Sequence, residues 1–134
     1  MQLLNHSVIE VVQILVSIFF SIVFFQSGID KIIDRDGNVS FFKDHFNKTP
    51  LQGVTALMLT MLTILELAAA TVCFLGCFNS LIYRSSVFIF FGLILCAIVL
   101  LLLLFGQRIA KDYVGAADIT IYFILCIITI MSFK

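Results

Sequence analysis

The chain reads as an all-α polytopic membrane protein: an antiparallel bundle of four transmembrane helices with a short interfacial helix in its first loop. Three observations lead there. Four apolar runs, residues 8–28, 53–78, 81–105 and 114–133, fill most of the 134 residues. Each reaches or approaches the ~20 residues that a helix needs to cross a ~30 Å hydrocarbon layer. Hydrophobic residues make up 62% of the sequence and the mean hydropathy is +1.18, which leaves too little polar surface to clothe a water-soluble globule. A soluble bundle would also need polar stripes at helical spacing, and the stretch 93–105 has none. No second segment is large enough to fold alone, so residues 1–134 are expected to form one domain.

The first run lacks a basic leader and a small-residue cleavage site, and its apolar stretch is long for a signal peptide. It is therefore expected to remain as the first span. In the loop that follows, Asp34-Arg35-Asp36-Gly37-Asn38 reads as a turn. Residues 39–49 then read as a short helix, with Asn38 or Ser40 as its cap and Pro50 disfavouring continuation from Thr49. Val39, Phe42 and Phe46 share one face while Lys43, Asp44 and Asn47 turn elsewhere. That pattern fits a segment lying in the membrane interface or folded back under the bundle, against the alternative of a plain loop. A calcium loop beginning at Asp34 fails, because positions six and twelve hold Val39 and His45 where glycine and glutamate are required. The other connections are short and force sequential antiparallel packing.

Charge sets the expected orientation. Lys31, Arg35, Lys43, Lys48, Arg108 and Lys111 fall in the first and third loops, against Arg84 and Lys134 on the opposite side. The positive-inside rule then places loops 29–52 and 106–113 in the cytoplasm and both termini outside, in a bacterial inner (plasma) membrane. The lipid bilayer is the first partner. The formal net charge is zero with no basic arm, which speaks against nucleic acid. Cys73, Cys77, Cys96 and Cys126 lie in or at the ends of apolar runs. Cys73 and Cys77, one turn apart, would hold their Cβ atoms about 5–6 Å from each other, beyond disulfide reach. All four read as packing cysteines, small hydrophobes in effect.

Glu66 is the sharpest polar feature, near the middle of the second run. A carboxylate at that depth costs several kcal/mol unless it faces the bundle interior, finds a donor or carries a proton. Thr63, Ala69 and Ala70 stand at three- and four-residue spacing from it and let a partner helix approach. Its role is either a ligand contact or proton-handling group, or a hydrogen-bonded structural mark. At 1.5 Å per residue it lies about 20 Å from the cytoplasmic end of its run, so Gln13, Ser17 and Thr63 are the expected partners. Arg84 is expected to reach Glu10 or Gln13 instead. A second cluster gathers Gln26, Asp30, Lys31, Gln107, Arg108, Lys111, Asp112 and Asp118 at the cytoplasmic face. Asp118, a turn inside the fourth run, is expected to form an interior ion pair with Lys31, Arg108 or Lys111. The rest read as a solvated charge ring.

No catalytic residues are assigned, and no metal site is expected because His6 and His45 fall on opposite faces. The phenylalanines at 19, 20, 24, 25, 88, 90 and 91 read as packing or lipid contact, with a hydrophobic slot as the alternative.

Phe24-Phe25-Gln26-Ser27-Gly28-Ile29-Asp30-Lys31 resembles the ending of the first helix in DoxX-type membrane proteins. Glu66 stands where that family carries a glutamate in its second helix, and residues 106–117 resemble its entry into the fourth. The resemblance covers nearly the full chain through short, degenerate motifs. It implies a small accessory or assembly subunit of an inner-membrane, redox-linked complex, one that is not an enzyme by itself. The alternative is a quinone- or lipid-binding oxidoreductase component that uses Glu66 as an intramembrane proton-handling carboxyl. No cofactor is evident, and quinone is the one candidate. Expected partners are another membrane protein or further copies of the chain.

Overall fold

The computed structural model describes residues 2–3, 6–50, 52–83 and 85–133, with side chains over 8–50, 53–83 and 85–133. Five helices follow in order: α1 (Val8–Ile33), α2 (Arg35–His45), α3 (Thr55–Tyr83), α4 (Val87–Ile109) and α5 (Tyr113–Met131). A minimal antiparallel ladder, Gln2–Leu3 against His6–Ser7, precedes α1, and a 3₁₀ turn at Gln52–Val54 leads into α3. Helices α1, α3, α4 and α5 are each long and apolar enough to cross a membrane.

Side-chain contacts fix the antiparallel order. Ser17 Oγ donates to the Cys73 carbonyl at 2.6 Å and Ser21 Oγ to the Ala70 carbonyl at 3.1 Å, so α1 runs against α3. Between α3 and α4 the backbones nearly touch. A Cβ on Gly76 would stand 2.7 Å from the Ile89 nitrogen, which only glycine tolerates at this crossing. Cys73 Sγ lies 3.6 Å from Cys96 Sγ on the same seam. Cys126 Sγ donates to the Leu93 carbonyl at 3.1 Å, joining α5 to α4. Gln13 Nε2 donates to Ser132 Oγ at 2.7 Å, linking α1 to the turn that ends α5. The core between these helices holds Phe20, Phe24, Cys73, Leu93, Cys96 and Cys126, all essentially buried. All four cysteines are free thiols.

Several boundaries differ from the sequence reading. Helix α1 continues past residue 28 to Ile33, because Ile29-Asp30-Lys31-Ile32-Ile33 contains no helix breaker. Helix α3 absorbs Asn79 and Ser80 and runs to Tyr83, so α4 starts at Val87 rather than at 81. The expected turn at 34–38 is helical. Asp34 occupies the N-cap position of α2, the Asn38 amide nitrogen donates to the Asp34 carbonyl at 3.0 Å, and Asn38 Nδ2 donates to it at 2.8 Å. Asp36 in the first turn and Lys43 and His45 in the last complement the helix dipole. The helix ends at His45 instead of 49, with Lys48 in the left-handed region at φ 63°. Phe46, just past its end, is buried and packs beside Gly106 of α4.

Candidate functional site

Glu66 is fully buried on α3 and faces Lys31 in the last turn of α1. The Lys31 Nζ stands 3.1 Å from Glu66 Oε1 and 3.4 Å from Oε2, and donates to Ser27 Oγ at 2.7 Å. Ser27 lies four residues before Lys31 on the same face, so it anchors the ammonium without bending the helix. Gly28 lets the two helices meet, since a Cβ there would stand 2.6 Å from the Leu67 side chain. Oε1 is the nearer oxygen, yet it makes no directed hydrogen bond. Its attraction to Lys31 is therefore mainly coulombic, and a lone pair remains for a further donor. Pairing offsets the desolvation of both charges, and removing either partner would strand the other in an apolar interior.

The residues expected around Glu66 bond elsewhere. Gln13 reaches Ser132, Ser17 the Cys73 carbonyl, and Thr63 Oγ1 the Leu59 carbonyl of its own helix at 2.7 Å. Helix α3 begins at Thr55, which puts Glu66 about 16 Å from that end, and α1 runs on to Ile33, so Lys31 and not Gln13, Ser17 or Thr63 meets the carboxylate. Arg84 and the His6 side chain lie outside the described residues.

The second cluster is also rearranged. Lys31 leaves it for Glu66. Asp112 caps α5 by accepting the Gly115 N–H at 3.0 Å, and lies 3.7 Å from His45 Nε2 at the end of α2. The Arg108 guanidinium sits 4.6 Å over the Tyr113 ring. Gln26 and Lys111 are exposed, the latter with φ 62°. The interior pair expected for Asp118 does not form: the residue is exposed, with no ion pair among the described residues. Its neighbour Ala116 is the buried one, and two residues along a helix turn a side chain about 200° away.

Helix α2 packs against α3, and residues of α2, α3 and α4 line a cleft of about 440 Å³ beside Lys31. Its walls are apolar, from Phe42 and Phe46, Leu62 and Leu65, and Leu103. Phe41, Met61, Leu102 and Phe105 are exposed and form an apolar mouth. Lys31, Asn38, His45, Gln107 and Asp112 supply the polar lining, and Gln107 Oε1 is buried with no hydrogen-bond partner among the described residues. The sequence places Phe46 on the apolar face of the first-loop helix and Gln107 in the cytoplasmic-face cluster, and neither as the wall of a cleft. A cavity of a few hundred Å³ with apolar walls and a few convergent polar groups has the character of a small-molecule site.

Four spanning-length apolar helices that bury the Lys31–Glu66 pair, with a cleft at one end, define a polytopic helical membrane protein. No family model, curated protein or solved structure matches the chain.

Proposed function

We propose that the chain binds a lipid-soluble small molecule, a quinone or a lipid, in the cleft beneath α2, as a component of a redox-linked membrane complex. The observation that carries this reading is a largely apolar cleft with an apolar mouth, whose lining includes Lys31 of the buried ion pair. Such a mouth suits entry from hydrocarbon. The resemblance to DoxX-type proteins supports the redox setting. The positive-inside count supports a bacterial inner membrane, with α2 lying at the cytoplasmic interface and both termini outside.

The residues fit a quinone. Lys31 and Gln107 are polar groups within the lining, and Lys31 pairs with the Glu66 carboxylate. A bound quinone would supply two-electron, two-proton chemistry. The chain's own part is to bind the polar end, exclude water and move a proton at the Glu66 carboxyl. Freeing that carboxyl requires the Lys31 ammonium, 3.1 Å from Oε1, to swing away.

The test uses the full chain in lipid nanodiscs, with the thermal midpoint followed as a decyl-tailed benzoquinone is added. A concentration-dependent rise that disappears in the cleft-filling variant Leu65→Phe supports the reading, and Glu66→Gln, which offers Lys31 an amide oxygen in place of the carboxylate, should abolish any quinone-linked turnover. A midpoint that no quinone or lipid shifts would end it.

A second reading, an accessory subunit docked on a larger membrane protein, rests on α5. Asp118 shares its exposed face with Ile121 and Ile128, and a carboxylate on the outer face of a span calls for a neighbour that supplies a donor. Native mass spectrometry after extraction in a mild detergent tests it. A co-purifying subunit lost in Asp118→Leu supports docking, and a chain that emerges alone opposes it.

A further inference from the structure

Cys73 of α3 and Cys96 of α4 meet in the core, on neighbouring helices that run in opposite directions. We propose that they form a reversible redox pair, which a lipid-soluble quinone oxidises to a disulfide tying α3 to α4. The proposal is independent of the cleft beneath α2.

The two sulfurs stand 3.6 Å apart, and both residues are fully buried. Every Cα–Cβ bond of a helix leans toward that helix's N-terminus. In antiparallel neighbours the lean carries each sulfur toward the level of the other residue, so the two meet between turns. Gly92, one turn before Cys96, supplies the space. A Cβ there would stand 2.8 Å from Cys73 Sγ and 3.3 Å from the Cys73 Cα, so the backbones are close as well. Forming a bond of about 2.05 Å asks each sulfur to move by roughly 0.8 Å, which small rotations about the Cα–Cβ bonds supply. The other two cysteines are placed differently. Cys126 Sγ donates to the Leu93 carbonyl at 3.1 Å. Cys77 lies one turn along α3 from Cys73, where Cβ atoms about 5–6 Å apart are beyond bridging.

The chemistry suits the surroundings. Two S–H bonds break and one S–S bond forms, while two electrons and two protons pass to the quinone, which leaves as the hydroquinone. Neutral thiols become a neutral disulfide. No charge is left among Phe20, Leu93 and Leu100, an apolar core in which an isolated charge is costly. Both sulfurs are enclosed, so the oxidant must dissolve in hydrocarbon, and a quinone does.

The experiment uses the full natural chain in lipid nanodiscs, first reduced and then kept free of oxygen. Tetramethylbenzoquinone is added, because its ring has no open position for thiol addition. The chain is then denatured, its free thiols are counted by maleimide labelling, and linked peptides are mapped by mass. The expected result is loss of two of the four thiols, one hydroquinone formed per chain and a peptide joining Cys73 to Cys96, with all four thiols restored by dithiothreitol. Cys77→Ala and Cys126→Ala should each still lose two thiols, whereas Cys96→Ala should lose none. Four thiols surviving the quinone overturn the proposal, as does a link between any other pair or between two chains. The thiol count is made on the natural sequence and does not depend on a variant folding.

Discussion

Helix α1 and helix α5 are both apolar spans at the two ends of the bundle sequence, and they are held by different means. Against α3, α1 makes two serine-to-carbonyl hydrogen bonds, a glycine contact at Gly28 and a buried ion pair. Helix α5 buries 17% of its spanning window, against 39% for α1 and for α4, and meets α4 through a single thiol-to-carbonyl bond among the described side chains. Lipid tails are as apolar as leucine, so helices in a bilayer gain little from merely hiding hydrophobic surface. What distinguishes the two seams is polar stitching and close backbone approach. The α1–α3–α4 unit is the rigid part, and α5 is its lightly fastened neighbour.

That contrast can be broken or sharpened by substitution. The largest effect is expected at Gly76→Leu, because the new side chain meets the backbone of α4, which cannot yield; loss of the folded bundle is the expected outcome. A folded fraction near that of the natural protein in a detergent-denaturation series would mean the α3–α4 seam is looser than drawn. Next comes Lys31→Met, which strands Glu66 and should cost about 3–5 kcal/mol. Most of that loss should return in Lys31→Met/Glu66→Leu, and a double variant as weak as the single one would remove the pair from the account of the seam. Ser17→Ala should cost about 0.6 kcal/mol, the usual worth of one interhelical hydrogen bond in a membrane. The smallest change is expected at Ile128→Ala on the outer face of α5, within about 0.5 kcal/mol. A penalty there as large as that of Lys31→Met would dissolve the comparison and show that α5 is covered by something else.

The four spans were legible because hydropathy is a local property and each run is long. Their ends were not. Asn79 and Ser80 look like a break yet ride inside α3, and Asp34–Asn38 looks like a turn yet starts α2. Polar residues at a span boundary tolerate helix as readily as loop, and only packing decides. Glu66 announced itself through the cost of a carboxylate among leucines and alanines. Its partner stayed hidden, because choosing Lys31 over Gln13, Ser17 or Thr63 required knowing that α1 runs to Ile33 and that Gly28 draws α3 close. The cleft was out of reach for the same reason: Phe46, Gln107 and Met61 become one surface only when α2 packs against α3.

The Lys31–Glu66 pair carries no net charge as a unit. A membrane potential does work on charge that moves through it, at about 2.3 kcal/mol per elementary charge for each 100 mV crossed in full. While the pair stays closed, its movement as a unit carries no net charge through the potential. Once Glu66 is protonated, Lys31 is left as an uncompensated cation, and the same movement acquires a voltage dependence.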